Sequence, residues 1–461
     1  MTARKFTLIE IEWPGFPPAA ERPCAAFPEF QARLDAAGKR LEERGLTHLV
    51  VYADREHFAN LAYLTNFDPR FEEALLVVRP GRDPLIVVGN ECEAYLPISP
   101  LWQSARLRKE RYQPFSLLDQ PRDSSRKLAA IFSEEGIGRQ SRVGCVGWKY
   151  YDEPTAIDLP AYIVDTLRSL AGPDRVLNAT DLFMHPGYGL RAACSACDIA
   201  CFEYTSHKAS EAMRRMHFAL RLGMTDHELL RHAGYDGTPL ACHMMLSTGP
   251  ERVGLASPCG NRIERGQPWE ANISYWGSNT CRAGWVAESP ADLPAKAQDY
   301  IPAFAGPYFE AMAAWFDLLR IGRTGGALEA MIQERLPFDQ FGIFLNSGHL
   351  IHLDEWLSSP VYGGSEIPIR SGMVFQSDVI PSSPVYFSTR AEDGYAVADA
   401  ALREEIRLKY PDCYRRCQQR RKFVQRTLGV PLPDDLLPLS NMACIVPPFL
   451  LRPNLVFAME Q

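Results

Sequence analysis

A repeated helix boundary is the sequence feature that most constrains how this chain can fold. The string LRLGMTDHEL begins at Leu220, and the similar string LRIGRTGGAL begins at Leu319, 99 residues later. In each string a Gly is placed to end one helix and a Thr to begin the next. Strand patterns follow both copies. We therefore predict a duplicated module of helices and antiparallel strands whose two halves enclose a cleft.

The residues before the repeat alternate between helix and strand patterns. Residues 29–44 carry apolar side chains at helical spacing, residues 46–52 form a β-branched apolar run, and residues 80–83 are a turn cluster between two further strand patterns. The sequence Pro-Gly-Tyr-Gly at residues 186–189 ends this alternation. The first part of the chain is thus predicted to be an α/β domain, and the whole chain a mixed α/β (α+β) protein.

The predicted domains are an α/β domain over residues 1–188 and the duplicated module over residues 189–461. The second domain includes a long Arg-rich helical pattern at residues 400–428 and a Pro-rich tail at residues 431–453. A basic helix on an acidic protein is by default a solvated face, with a dimer contact as the alternative. With 46% hydrophobic residues, the chain can bury a core in each domain.

Charge and hydropathy narrow the range of partners and compartments. The net charge of −7 argues against a general binder of nucleic acid or anionic membranes, because such partners are met by a basic excess. A small-molecule or protein partner is expected instead. No apolar run reaches the roughly 18 residues that span a bilayer, and Glu10 and Glu12 interrupt the first apolar segment before a signal-peptide core forms. We predict a cytoplasmic protein.

The twelve cysteines lack the density of a disulfide scaffold and are predicted to be reduced thiols. Cys194, Cys197 and Cys201 have the spacing of one helix face. Such a face is either a metal site or a packing surface. No fourth ligand follows in the usual paired spacing, which favours packing.

The candidate functional residues lie in the second half of the chain. His349 is followed by Asp378 about thirty residues later and by Glu392 about fourteen residues after that. If folding brings them together, they suit a metal site or acid/base chemistry. His352, which has apolar neighbours, is more typical of a hydrogen-bonded structural histidine.

Five segments together resemble one known family. They are GYGLRAACSACDI from Gly187, GMTDHEL from Gly223, the pair Gly348-His349, SGMV from Ser371 and RAED from Arg390. In this order they resemble the creatinase/prolidase/methionine aminopeptidase family over most of the chain, from about Glu29 to about Asp399. The resemblance implies the "pita-bread" fold, preceded by a separate α/β domain as in the creatinase and prolidase branches, and a homodimer.

In the metallopeptidase members, the resemblance implies two divalent metals held by two aspartates on a hairpin and then by His, Glu and Glu. His349 matches the histidine, Asp378 falls at the first glutamate and Glu392 matches the second. If a metal is bound, these three residues and Glu288 are its expected ligands, with Mn, Fe, Co or Zn as the single divalent ion.

The hairpin is where this sequence departs from the family. Residues 273–288 contain no aspartate; Ser278 occupies the approximate first position and Glu288 the second. A serine cannot replace a bridging carboxylate that offsets the charge of two hard cations. We therefore expect no two-metal centre and no cofactor, with a single metal as the alternative.

Two branches of the family indicate what an altered site can do. Creatinase cleaves a C–N bond of a guanidino substrate without metal, using a histidine as proton shuttle, and ectoine hydrolase is a relative. The matching run here, residues 255–266, has no histidine, so His349 is the first choice of base, with His352 or His243 behind it. The dimethylsulfoniopropionate lyase of the same fold keeps its metal, and its histidine region resembles Asp354-Glu355-Trp356.

These residues predict a metal-independent hydrolase of a C–N bond in a small zwitterionic or cationic molecule. Asp378, Glu392 and Glu288 would form an acidic floor for the cation. An arginine would hold a substrate carboxylate, and an aromatic ring would cover the cation. The candidates for these two tasks are Arg252, Arg262, Trp276, Trp285, Trp356 and Tyr362.

Two alternatives stay open at this point. One is an Xaa-Pro-type metallopeptidase or a metal-dependent lyase that uses substitute ligands. The other is a catalytically silent binding module, as the peptidase-like domains of histone chaperones are. The fold alone does not separate them, because it hosts several chemistries.

Overall fold

The computed structural model describes residues 5–249 and 254–460. Its internal contacts divide the chain into two compact units. One unit is Ala25–Arg191, and the other joins Met1–Cys24 to Ala192–Gln461. The sequence had placed the first residues in the N-terminal domain, and the structure groups them with the second unit instead.

This grouping has a simple cause at the two ends of the chain. The first strand, β1 (Phe6–Glu10), pairs antiparallel with the last strand of the chain, Leu455–Met459, from Phe6↔Met459 to Glu10↔Leu455. Backbone hydrogen bonds along this two-stranded sheet hold the start of the chain against its end. Residues 6–10 therefore belong to the second unit although they precede the first.

The unit Ala25–Arg191 is built on a six-stranded mixed sheet. Its strands are β2 (His48–Ala53), β3 (Ala74–Arg79), β4 (Arg82–Val88), β5 (Arg108–Arg111), β6 (Val143–Val146) and β7 (Val176–Asn178). Its helices are α1 (Phe27–Glu43), α2 (Ala59–Thr65), α3 (Pro100–Gln103), α4 (Leu128–Glu134), α5 (Ala161–Ala171) and α6 (Asp181–Met184). The strand order is β5-β4-β3-β2-β6-β7. The central strands are buried on both faces, which explains their continuous apolar runs.

The second unit consists of two helix-and-sheet halves, as the repeat predicted. The elements of the first half are α7 (Ala196–Ala219), α8 (Asp226–Arg231), β8 (Met245–Thr248), β9 (Pro268–Tyr275) and β10 (Ser278–Trp285). Those that follow are α9 (Gly306–Leu318), α10 (Gly325–Arg335), α11 (Phe338–Phe341), β11 (His349–Leu350), β12 (Val374–Gln376), β13 (Arg390–Glu392) and β14 (Gly394–Val397). The chain ends with α12 (Ala400–Lys409), α13 (Pro411–Arg426), β15 (Leu436–Pro438) and β16 (Leu455–Met459).

The repeated strings have the same geometry in both halves. Gly223 and Gly322 adopt left-handed backbone conformations, with φ of 83° and 87°. Thr225 and Thr324 then cap the next helix by accepting a hydrogen bond from the backbone N–H three residues later. A residue with a Cβ would be strained at the glycine positions, so both strings form the predicted helix boundary.

One strand of the second half, β13, belongs to the sheet of the first half, and this places the candidate residues close together. The sheets have the orders β13-β10-β9-β8 and β11-β12-β14-β15. Glu392 of β13 therefore pairs with Cys281 of β10 in the first sheet. In the second sheet His349 pairs with Gln376, two residues before Asp378. Asp393, the single residue between β13 and β14, is where the chain passes from one sheet to the other.

One face of the Arg-rich helix α13 is buried, which corrects part of the expectation of a solvated face, while Arg415 and Arg426 are exposed. The guanidinium groups of Arg416 and Arg420 are buried and pair with Glu203 of α7, with 2.7 Å between Arg420 Nη1 and Glu203 Oε1. Arg421 donates to the carbonyl oxygens of Pro433 and Leu436. Buried charges need partners of this kind. None of the helices in the described part of the chain has both the length and the apolar character to span a bilayer.

Candidate functional site

A cavity of about 380 Å³ lies in the second unit and is lined from both halves of the duplicated module. Its polar and charged lining residues are Cys242, His243, Ser247, Glu270, Asn272, Asn279, Cys281, Glu355, Asp378, Arg390 and Glu392. Its apolar lining residues are Met245, Leu246, Leu255, Ala256, Ala271, Leu345, Trp356 and Ile380. One charged region and one apolar region therefore face the same space.

The β9–β10 hairpin presents four polar side chains to this cavity. Its two-residue turn is Trp276-Gly277, and the register pairs Asn272 with Cys281. Because side chains alternate along a strand, Glu270 and Asn272 of β9 share a face with Asn279 and Cys281 of β10. All four are buried. Glu270 and Cys281 are the ionisable groups among them, and the sequence analysis identified neither.

The two hairpin positions chosen from sequence lie elsewhere. Ser278 points away from the face of Asn279, and its Oγ lies 3.5 Å from the carbonyl oxygen of Tyr275. Glu288 follows the end of β10, is exposed, and accepts a hydrogen bond of 2.9 Å from Arg265. The position of the turn explains the difference, since counting outward from Trp276-Gly277 in steps of two would have selected residues 270, 272, 279 and 281.

The carboxyl groups of Asp378 and Glu392 lie within hydrogen-bond reach of each other. Burial raises the pKa of Glu392 well above its usual range, and the nearby Asp378 raises it further. The pKa of Asp378 is also raised by burial. Two carboxylates this close cannot both ionise without strong repulsion, so the pair retains a proton. Asn279 Nδ2 lies 3.3 Å from Glu392 Oε2 and supports it from the hairpin.

His349 is fully buried behind the wall of this cavity. Its Nε2 lies 3.5 Å from Glu355 Oε1 and 3.6 Å from Asp378 Oδ2. Its ring stacks on Trp356 with centroids 4.0 Å apart. Burial lowers the pKa of His349, but Glu355 and Asp378 outweigh burial and the net pKa is raised. The two neighbouring carboxyl groups therefore favour the protonated form of His349.

Arg390 is the arginine of the cavity, and it was named from sequence only as the first residue of the RAED string. Its Nη2 lies 3.2 Å from Glu270 Oε2, and its Nη1 donates to Cys281 Sγ at 3.5 Å. Burial raises the pKa of the Cys281 thiol well above its usual range. Cys281 is therefore a neutral thiol beside an ion pair.

The other predicted binding residues are mostly outside the cavity. Arg262 donates to the carbonyl oxygen of Gly223 on another surface, and Arg252 lies outside the described residues. His352 is buried, and its ring packs edge-to-face with that of Phe202, with the ring centroids 5.1 Å apart. Of the predicted histidines, His243 lines the cavity directly.

Among the predicted aromatic residues, Trp356 is the one that lines the cavity. Trp285 is buried and donates from its indole nitrogen to the carbonyl oxygen of Tyr386 at 3.2 Å. Trp276 belongs to the hairpin turn, and Tyr362 is exposed. The structure therefore brings together His349, Asp378, Glu392 and Trp356, and adds Glu270, Cys281, Glu355 and Arg390.

The donor set of the cavity does not fit a two-metal centre. Its hairpin offers one carboxylate, Glu270, which is already paired with Arg390. Across residues 5–249 and 254–460, the one group of three His, Cys, Asp or Glu donors within 4.8 Å of one another is Cys194, Asp198 and His352, which do not line this cavity. Two hard cations would need bridging carboxylates here.

Comparison with known proteins places the fold. No family model matches the chain, and a search of curated proteins finds no significant match. Among solved structures, the dipeptidase PepE from Mycobacterium ulcerans is similar with a TM-score of 0.59 and 19% identity, over 81% of this chain and 95% of that one. The Xaa-Pro dipeptidase from Bacillus anthracis gives 0.61 and 13%, over 81% and 96%. The N-terminal domain of the FACT complex subunit SPT16 from Cicer arietinum gives 0.59 and 13%, over 80% and 94%.

The chain therefore has the pita-bread fold of prolidases and Xaa-Pro dipeptidases. The fold predicted from the five sequence segments is confirmed. At these identities the likeness concerns the fold alone, and the chemistry has to be argued from the site.

Proposed function

We propose that this protein is a hydrolase that cleaves a C–N bond in a small zwitterionic or cationic molecule without a two-metal centre. The observation that carries the proposal is the Asp378–Glu392 carboxyl pair, whose buried groups lie within hydrogen-bond reach of each other and line a cavity of about 380 Å³. Burial raises the pKa of both carboxyls, which favours one shared proton. A carboxyl pair with one proton contains both a general base and a general acid.

The pair can carry out both proton transfers of hydrolysis. The ionised carboxyl accepts a proton from a water molecule while the water oxygen forms a bond to the substrate carbon. The protonated carboxyl donates its proton to the leaving nitrogen as the C–N bond breaks. The proton taken from water replaces the one donated, so the pair ends with one proton, as it began.

The remaining charges suit a substrate with a positive and a negative group. Glu355 lines the cavity beside Asp378, and Trp356 offers a ring face next to it, so a guanidinium, amidinium or ammonium group would bind there. Arg390 lies on the hairpin side and takes the role first given to Arg252 or Arg262, that of meeting a carboxylate. His349 does not line the cavity and acts as a positioning residue that holds Asp378 and Glu355.

The direct test is turnover by the full chain on a panel of amidino, amido and dipeptide compounds. We expect hydrolysis of at least one zwitterionic or cationic member, with the same rate in the presence of EDTA. Adding Mn²⁺, Co²⁺ or Zn²⁺ should not raise the rate. Turnover that requires an added metal and stops with EDTA would contradict the proposal.

The second candidate is a metallopeptidase, because two of the similar structures are named dipeptidases and the cavity residues Glu270, Cys281, Asp378 and Glu392 are of metal-ligand types. A metal bound in the cavity would be lost in Glu392→Gln, so comparing the metal content of this variant with that of the wild type separates the two candidates. The likeness to the SPT16 domain favours a silent binding module only if the panel gives neither turnover nor a thermal shift.

The pH dependence of stability gives a further prediction. Since the folded pKa of Glu392 is raised, its contribution is fully present below the unfolded pKa of about 4.3 and is lost as pH rises through the folded pKa. Gln at this position cannot ionise. We expect the free energy of unfolding of Glu392→Gln to rise relative to that of the wild type between pH 5 and pH 8, measured by urea unfolding.

The titratable groups around Glu392 do not reverse the direction of this change in stability. Asp378 and His349 also have raised pKa values, so their contributions fall in the same direction as pH rises. Arg390 stays charged throughout. Glu264→Gln, at an exposed position outside the cavity, is the control and should follow the wild type. Parallel curves for Glu392→Gln and the wild type would mean that Glu392 is ionised at neutral pH.

A further inference from the structure

A second group of ionisable side chains lies outside the cavity, at the start of α7. One donor atom each from Cys194, Asp198 and His352 lies within 4.8 Å of the other two. Cys194 is 6% exposed, Asp198 9% and His352 1%. The spacing Cys194, Cys197, Cys201 had suggested a metal site on one helix face, whereas the structure joins Cys194 to a different pair of residues.

Hydrogen bonds outside the Cys194–Asp198–His352 contacts hold the backbone around this group in place. Cys194 N–H donates to the carbonyl oxygen of Gly372 at 2.7 Å, and Ile351 N–H donates to that of Val374 at 2.9 Å. Asp198 forms a capping box with Ser195 at the beginning of α7. The donors are thus presented by rigid elements from two halves of the module, as a preorganised metal site requires.

The donor types fit a zinc ion. Zn²⁺ binds thiolate sulfur at about 2.3 Å and imidazole nitrogen or carboxylate oxygen at about 2.0–2.2 Å, so donors that share one ion lie less than about 4.5 Å apart. The three donors, which lie within 4.8 Å of one another, need at most a small side-chain movement to meet this limit. A thiolate, a carboxylate and a neutral imidazole together carry two negative charges, which balance the charge of Zn²⁺ in a buried position. A sulfur donor disfavours Mg²⁺ and Ca²⁺.

The surroundings also suit a bound ion. Cys194 belongs to an apolar cluster that includes Ile199, Phe202, Ile351 and Val374. An apolar shell of this kind excludes water and strengthens the bonds between donors and metal. The amino-terminal end of the 24-residue helix α7 lies beside these donors, and its partial positive charge suits anionic ligands of a metal ion.

We propose that Cys194, Asp198 and His352 bind one structural Zn²⁺, with a water molecule or a backbone carbonyl oxygen in the fourth position. The ion would tie the beginning of α7 to the chain just after β11, between His349 of β11 and Glu355. It would therefore brace the wall of the cavity without taking part in the reaction. This site does not depend on the function proposed for Asp378 and Glu392.

The test is elemental analysis of the untagged full chain, produced with zinc in the medium and then desalted. We expect about one zinc per chain in the wild type, and loss of zinc in Cys194→Ser and His352→Gln. Cys197→Ser is the matched control, because Cys197, in the first turn of α7, is about as buried as Cys194 but is not one of the three donors, and it should keep its zinc. A wild type without zinc, or equal retention by Cys194→Ser and Cys197→Ser, would overturn the proposal.

Two further measurements keep the result clear if a variant fails to fold. Wild-type protein loaded with Co²⁺ in place of zinc should show thiolate-to-cobalt charge-transfer absorption, and its absence would overturn the assignment of Cys194. Glu392→Gln should keep the zinc, because Glu392 belongs to the cavity. If zinc is lost in Glu392→Gln but kept in Cys194→Ser, the metal lies in the cavity. That result would contradict both the zinc site and the metal-free hydrolase, whereas a wild type without zinc would contradict the zinc site alone.

Discussion

Asp378→Asn and Glu392→Gln are each expected to lower kcat by about 10²–10⁴-fold, the usual contribution of a positioned general acid or base. Each substitution leaves the cavity its shape but removes one of the two groups that hold and move the proton. Because the pair acts as a unit, the double variant should lose little more than either single variant. The measurement is steady-state turnover on the best substrate of the panel, with circular dichroism to verify folding.

Glu288→Gln is the matched control for this experiment. Glu288 was predicted from sequence to join Asp378 and Glu392 in the acidic floor of the site, but it is exposed and pairs with Arg265 outside the cavity. Its substitution should leave kcat within about twofold of the wild type, as expected for a surface change. Full activity of Asp378→Asn, or an equal loss in Glu288→Gln, would remove the carboxyl pair from the mechanism.

The pH profile distinguishes a proton-sharing pair from a single base. One proton must be present and one absent, so kcat/KM should follow a bell-shaped curve whose two limbs belong to the pair. In Glu392→Gln the limb set by loss of the shared proton should disappear from the residual activity. A profile with unchanged limbs would show that other groups titrate during turnover.

The duplicated fold was predictable because its signals are local. A glycine with positive φ and a threonine cap act within one turn of helix, so the strings beginning at Leu220 and Leu319 report the same structure wherever they occur. The pairing of β1 with β16 joins the two ends of the chain. No pattern within either strand indicates such a distant partner. For this reason the first residues of the chain were assigned from sequence to the N-terminal domain, whereas the structure groups them with the second unit.

The candidate site was predicted in part, and the missing residues share a cause. His349, Asp378 and Glu392 stand in recognisable strings, whereas Glu270 and Cys281 reach the cavity only through the register of the β9–β10 hairpin. Moving a register by one residue turns every side chain to the other face. For this reason the position predicted from sequence was Ser278, which is adjacent to the cavity-facing residue Asn279 and points to the other face of the hairpin.

The Arg-rich helix α13 shows that sequence patterns also fail to predict whether a charged side chain is buried or solvated. Sequence indicates that Arg416 and Arg420 lie on one helix, but not that Glu203, more than 200 positions earlier, lies opposite them. A buried pair and a solvated face have the same composition. Only the tertiary contact decides between them, since burial and not helix propensity sets the environment of a charge.

Arg282→Met is expected to cost the second unit about 3–5 kcal/mol of stability, the usual loss when one partner of a buried ion pair is removed. Arg282 is 1% exposed and Asp393 0%. Arg282 Nη2 donates to Asp393 Oδ2 at 2.6 Å. Without the guanidinium, Asp393 would retain one hydrogen bond from a side chain, that of Ser440, and would have to be protonated or remain as an uncompensated buried charge.

Arg265→Met is the matched control, because Arg265 also pairs with two carboxylates, Glu288 and Asp292, but lies on the surface. Its loss should cost less than about 1 kcal/mol. The measurement is urea unfolding at pH 7, followed by fluorescence. The double variant Arg282→Met/Asp393→Asn should recover part of the lost stability, because it removes the orphaned charge together with its partner. Equal costs for the two single arginine variants would mean that the buried pair is not the element that holds this region.

The hydrogen bonds of Arg282 connect this stability to the candidate site. Its Nη1 donates to the carbonyl oxygens of Cys281 and Glu392 at 2.7 and 3.1 Å. These are the two residues paired across β10 and β13, and both side chains line the cavity. Even a folded Arg282→Met protein should therefore show a lower kcat, since the carboxyl of Glu392 depends on the backbone that Arg282 holds. Arg265→Met should not change kcat, so the pair of variants separates support of the site from surface charge.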